Sequence, residues 1–169
     1  MRLRLLILCL LLGSLGLWLL CTQTIRVSLF RAPPLRSSGI VIGRGVVDAQ
    51  GKASIDVAFT SAGQTVSALQ FDIGYPGQAF AFSVSSGSAT NNSGKTIYAS
   101  DLHPGSKRIL IAGLNQTPIG DGVLTTLSIQ ANQATPAGFY PLAISNVVAS
   151  GGSGSAVSVS ASAGGLVVH

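Results

Sequence analysis

Apolar positions along this chain fall into two regimes. From Leu3 to Cys21 they are nearly continuous, interrupted only by Arg4, Gly13, Ser14 and Gly16. Beyond residue 39 they come in short β-rich runs punctuated by Gly, Pro, Asn and Ser. No window there has a capped start and the i, i+3, i+4, i+7 spacing of an amphipathic helix. These runs are predicted as strands. Ile40 to Val47 ends at the turn Asp48-Ala49-Gln50-Gly51. Ala53 to Phe59 has Ile55, Val57 and Phe59 on one side and Ser54, Asp56 and Ala58 on the other. The clearest case sets Leu69, Phe71, Ile73 and Tyr75 against Gln70, Asp72 and Gly74, and stops at Pro76-Gly77. Such period-two alternation is what a strand with one buried face requires.

Phe80, Phe82 and Val84 form a fourth run, followed by an expected polar loop from Ser85 to Lys95. Thr96 to Ser100 and Arg108 to Leu114 are expected to pair through the turn His103-Pro104-Gly105-Ser106. Val123 to Ala131 follows Gly120-Asp121-Gly122, and Phe139 to Ile144 with Val147-Val148 follows Pro136-Ala137-Gly138. The last stretch, Ser150 to Val168, is mostly Ser, Gly, Ala and Val. Val157, Val159 and Ala161 alternate with serines there, which predicts a Gly-turned hairpin closed by Leu166-Val167-Val168. Short strands at this spacing, with turn residues between them, predict an all-β sandwich.

The leading segment is read from its charges and length. Arg2 and Arg4 precede the apolar run, as in a secretory n-region and h-region, so an apolar targeting helix and export are expected. Leu5 to Cys21 is slightly shorter than the ~20 residues that typically span a bilayer. Thr22 and Thr24 are weak small residues for cleavage, and Arg26, Arg31 and Arg36 give no clean orientation. Cys21 allows lipidation, but Leu20 stands where a lipoprotein has a small residue. Cleaved signal, retained anchor and lipoprotein are therefore all left open, and each places the domain outside the cytoplasm. The division expected is 1–24 signal or anchor, 25–38 a Pro/Ser/Arg linker containing Pro33-Pro34, and 39–169 one β-sandwich domain of about 130 residues.

Charge changes meaning once it is placed. The chain's formal net charge is +5, yet Arg2, Arg4, Arg26, Arg31 and Arg36 all lie before residue 39. After it, Arg44, Lys52, Lys95, Lys107 and Arg108 balance Asp48, Asp56, Asp72, Asp101 and Asp121. A neutral domain with scattered cations lacks the clustered Lys and Arg that displace phosphate counterions, so nucleic acid is not an expected partner. Cys9 and Cys21 are both in the leader and the chain has no Glu, so no disulfide, metal cage or cofactor is expected in the domain. His103 sits in a turn and His169 ends the sequence, so neither is held by a second group as a general base must be. No enzyme activity is expected. The only Trp, Trp18, is in the leader; among the domain aromatics Tyr98 and Tyr140 are expected at the surface and Tyr75 and Phe82 in the core.

The segments SALQFDIGY, GDGVLTTLSIQA, ATPAGFYPLAISNVVAS and GGLVV resemble the cohesin domain family in sequence, order and spacing over Ile40 to Val168. The resemblance implies a nine-stranded jelly-roll-like β-sandwich, behind the apolar targeting helix read from the leader, and a non-catalytic binding role. It implies a protein partner such as a calcium-loaded dockerin, and a context of polysaccharide degradation. Two departures matter: Ala68 and Gln70 stand where dockerin-binding cohesins of type I usually carry Asn and Asp, and the family's Tyr-Asp-Pro turn is shortened to Tyr75-Pro76-Gly77. A carbohydrate-binding module and a structural envelope domain are the alternatives. The expected partner-binding face is a flat patch made by Ala68, Gln70, Asp72 and Gly74, with Tyr98 on the same sheet. On that reading Gln70→Arg or Asp72→Arg abolishes partner binding and leaves stability nearly unchanged.

Overall fold

A computed structural model of the chain describes residues 37–169. The expected targeting helix and all but the last two residues of the linker lie outside these residues. The described part is a two-layer sandwich of eleven strands. They are β1 (Gly39–Ile42), β2 (Arg44–Val46), β3 (Lys52–Thr60), β4 (Ala68–Gly74), β5 (Phe80–Ser86), β6 (Thr96–His103), β7 (Ser106–Ala112), β8 (Gly122–Ala131), β9 (Gly138–Ser150), β10 (Ser160–Ser162) and β11 (Gly164–Val168). One sheet has the order β10-β1-β3-β8-β5 and the other β2-β11-β9-β4-β7-β6. The inward series Ile55, Val57 and Phe59 of β3 faces Leu69, Phe71 and Ile73 of β4, all buried. Leu124, Leu127, Ile109, Ile111 and Leu142 complete the same core. Burying one such side chain contributes about 1.5–3 kcal/mol, which offsets the ordering of a chain rich in Ser and Gly.

The nine strands that the resemblance implies are corrected to eleven, and the first and last runs each break as they change sheets. β1 pairs with β3 in the first sheet; Gly43 then turns the chain so that β2 joins the second. The last run does the same, with β10 parallel to β1 and β11 parallel to β2. The expected terminal hairpin is thereby corrected as well. The chain does reverse at Gly151–Ser155, but antiparallel pairing there is confined to the Ser150–Ala156 bridge. The run carrying Val157 and Val159 and the run ending in Val168 go to opposite sheets, and β11 pairs with β9 instead. The two crossings touch backbone to backbone. A Cβ on Gly164 would lie 2.1 Å from the Gly43 carbonyl oxygen and 2.6 Å from Ile42 Cγ2, which only a glycine avoids.

The expected polar loop after β5 contains a single helical turn, α1 (Ser88–Asn92). Ala89 and Thr90 are buried beneath it, and Thr90 Oγ1 donates to the Leu124 carbonyl at 2.7 Å. The β6–β7 hairpin forms as expected around Gly105, whose φ of +84° suits glycine. Gly164→Ala is expected to destabilise the fold by about 1–3 kcal/mol or more in chemical denaturation, the cost of forcing volume into a packed site. Gly120→Ala, with nothing within 4 Å of the new Cβ, is the matched control and should shift stability little.

Candidate protein-binding face

The inward series of β4 fixes which side chains its other face presents. Gln70 lies between Val148 of β9 and Leu110 of β7, and Leu110 is in turn paired with Tyr98 of β6. Directly paired residues share a face of a sheet, so Val148, Gln70, Leu110 and Tyr98 form one row across four strands. Val148 and Tyr98 are each 58% exposed and Leu110 37%, an apolar content unusual for the wet side of a strand. Ala68 and Gly74 are half-buried at the two ends of β4. Farther across the same side, Phe139 and Val46 add exposed apolar surface, and the Phe139 ring covers Gly165. An apolar band with a polar edge is what protein-recognition surfaces present.

Asp72 is not the open surface carboxylate expected. It points to the outer side but is only 2% exposed, because its neighbours close over it. Arg108, its cross-strand partner, donates from Nε to Oδ1 at 2.7 Å and from Nη2 to Oδ2 at 2.8 Å, and Asn146 Nδ2 donates to Oδ2 at 2.8 Å. Asn146 reaches it from a bulge in the β4–β9 ladder, where it adopts a left-handed φ of +50° that asparagine tolerates. The bidentate Arg108 bond holds the Asp72 carboxyl below the usual carboxylate range; burial opposes this and the Asn146 bond assists it. The same pairing raises Arg108. With its charge matched in place, Asp72 stiffens the centre of the face, and an added cation there would clash with Arg108.

Other expected positions are distributed differently. Tyr98 is exposed as expected, whereas Tyr140 packs its ring edge on Phe80 at 4.9 Å and donates to the Pro136 carbonyl at 2.7 Å. Asp101 pairs with Lys107, while His103 Nδ1 lies 3.2 Å from the Pro104 carbonyl, so Asp101 and His103 do not act together. Asp121 accepts from the Ser61 amide and hydroxyl. Lys95 is buried, and its ammonium donates to the Asn115 main-chain and side-chain oxygens at 2.7 Å each; burial lowers its pKa. This clip fixes the loop beyond β7 that carries the fully exposed Leu114. Leu110, Val148, Arg108 and Asn146 went unread in the sequence. A signal for Leu110 was present, since Ile109 to Ala112 is apolar on both faces of its strand.

The fold has counterparts among solved structures. A non-cellulosomal cohesin from the archaeon Archaeoglobus fulgidus superposes with a TM-score of 0.66 at 18% identity, over 79% of this chain and 92% of that one. The sixth cohesin of Acetivibrio cellulolyticus scaffoldin B, solved with a dockerin, gives 0.69 at 15% identity, covering 79% and 100%. A cohesin in a type I cohesin–dockerin complex from Clostridium thermocellum gives 0.69 at 13%, covering 79% and 100%. No curated protein sequence matches the chain. The family model for the cohesin domain, however, matches residues 40–168, the whole sandwich from its first buried isoleucine to its last strand, and the chain therefore belongs to the cohesin domain family.

Proposed function

We propose that this protein is an exported, non-catalytic docking module that binds a dockerin-like protein partner on the outer side of β9, β4, β7 and β6. The observation that carries the reading is the row Val148, Gln70, Leu110 and Tyr98, three exposed apolar side chains around one uncharged polar one. Such a row loses little on desolvation, and the matched Asp72–Arg108 pair beside it leaves no buried charge unpaired when a partner covers it. Cohesins solved with bound dockerins support a partner of that class. A role in polysaccharide degradation would come through the enzyme or scaffold that such a partner carries. Export rests on the basic, Leu-rich leader.

Gln70→Arg should abolish capture of the partner from the source organism's envelope and secreted proteins while moving stability by no more than about 0.5 kcal/mol. Capture that persists unchanged in this variant places the binding face elsewhere. Fractionation of the source cells should recover the protein in membranes or outside the cell, and finding it soluble in the cytoplasm refutes export.

Asp72 and Arg108 should behave as a structural unit. Asp72→Ala and Arg108→Ala are each expected to cost about 1–3 kcal/mol, and the double variant distinctly less than their sum. Because the folded carboxyl has the lower pKa, its stabilisation is complete above the ordinary carboxylate value of about 4 and is lost as pH falls through the folded value. Denaturation curves of Asp72→Ala should therefore lack part of the acid destabilisation of the parent.

A further inference from the structure

Two long edges separate the sheets, and strands that pass between sheets seal only one of them. On the other, β5 and β6 run past each other without a ladder, and α1 packs over one end of the gap against β8 and β6. At the other end is a cleft of about 560 Å³ whose lining includes Tyr75, Phe82, Asp101, Leu102, His103 and Lys107. Strand alternation assigns several of these positions to the interior. Tyr75 continues the series Leu69, Phe71 and Ile73; Lys107 precedes Ile109 and Ile111 on the same side; Asp101 is the cross-strand partner of Lys107. Two charges and two aromatic rings thus stand where the core would otherwise continue to the surface.

The chemistry of this cleft suits a neutral ring bearing hydroxyls. Asp101 Oδ1 and Lys107 Nζ, 2.5 Å apart, offer an acceptor and a donor side by side with cancelling formal charge. A net-charged ligand gains nothing there, whereas two neighbouring hydroxyls, each both donor and acceptor, match the pair. Tyr75 and Phe82 meet edge to face with centroids 4.3 Å apart, and the Lys107 ammonium lies 5.5 Å from the Phe82 centroid, so the apolar wall and the polar pair are held to one another. Among the described residues nothing hydrogen-bonds to the Tyr75 hydroxyl. Since no fully buried side-chain polar atom lacks a partner, that hydroxyl is not fully buried.

We propose that this cleft is a saccharide-binding site, separate from the docking face and on the open edge of the sandwich. The rings contact the C–H face of the sugar, and Asp101, Lys107 and the Tyr75 hydroxyl bond its hydroxyls. Inward charges also guard sheet edges against strand addition, but that role has no use for an open aromatic-walled cleft. The test is titration of the full chain with cello-, xylo-, manno- and chito-oligosaccharides, followed by amide NMR. At least one sugar should produce saturable shifts at Gly77, Leu102 and Gly105, and none at Gln70 or Leu110. Asp101 is 69% exposed, so Asp101→Ala should keep the fold, checked by amide shifts unchanged away from the cleft, and should weaken the response by about tenfold or more. Tyr75→Phe, which keeps the ring, should weaken it too, and Gln70→Arg should leave it unchanged. No saturable shift with any of the sugars, shifts confined to the docking face, or a response retained in both Asp101→Ala and Tyr75→Phe overturns the proposal.

Discussion

The close passage of Gly164 over the Gly43 carbonyl is the contact on which the architecture turns. Two extended segments distant in sequence cross from one sheet to the other side by side, and they do so only because Gly164 carries no side chain at the crossing. The crossing joins both ends of the domain to both sheets, with β10 against β1 and β11 against β2. A sandwich built this way has one edge sealed by its own crossing strands. Its remaining stability comes from the apolar side chains between the sheets, so the outer faces are left for other uses.

Those outer faces are not equivalent. On the five-stranded sheet the outward positions of β3, β5 and β8 are mostly small and polar, as in the cross-strand row Ser54, Ser128 and Ser83. On the six-stranded sheet the outward row is Val148, Gln70, Leu110 and Tyr98. Burial of apolar area rewards association on the second face and offers little on the first. The Asp72–Arg108–Asn146 group lies one step along β4 from this row and holds three strands in register. Rigid backbone beneath an apolar row lowers the ordering cost of binding.

The family assignment and the physics of the face agree on a binding role but rest on different grounds. Membership follows from the match over residues 40–168. The expectation taken from the resemblance, that the departures at Ala68 and Gln70 remove a charged acceptor from the face, acquires a physical form here. The carboxylate at Asp72 is committed to Arg108 and Asn146, so this face offers a partner apolar contact and a partly exposed guanidinium in place of a free acid.

By itself the sequence determined the strands and their inward faces, because period-two alternation with Gly, Pro and Asn between runs is local information, and Leu69, Phe71 and Ile73 could not be placed outward without losing the core. It also determined the neutrality of the domain and the absence of thiols from it, which are matters of composition. Tertiary structure alone decided that Ser160–Ser162 and Gly164–Val168 part into different sheets. A Ser/Gly/Val run pairs as well with one neighbour as another, and the choice was made by β1 and β9 elsewhere in the chain. It decided that Asp72 is covered, since the covering groups come from positions 108 and 146. It also decided that Tyr75, Phe82, Asp101 and Lys107 share a cleft, because alternation says which way a side chain points and nothing about whether the opposite sheet extends far enough to bury it.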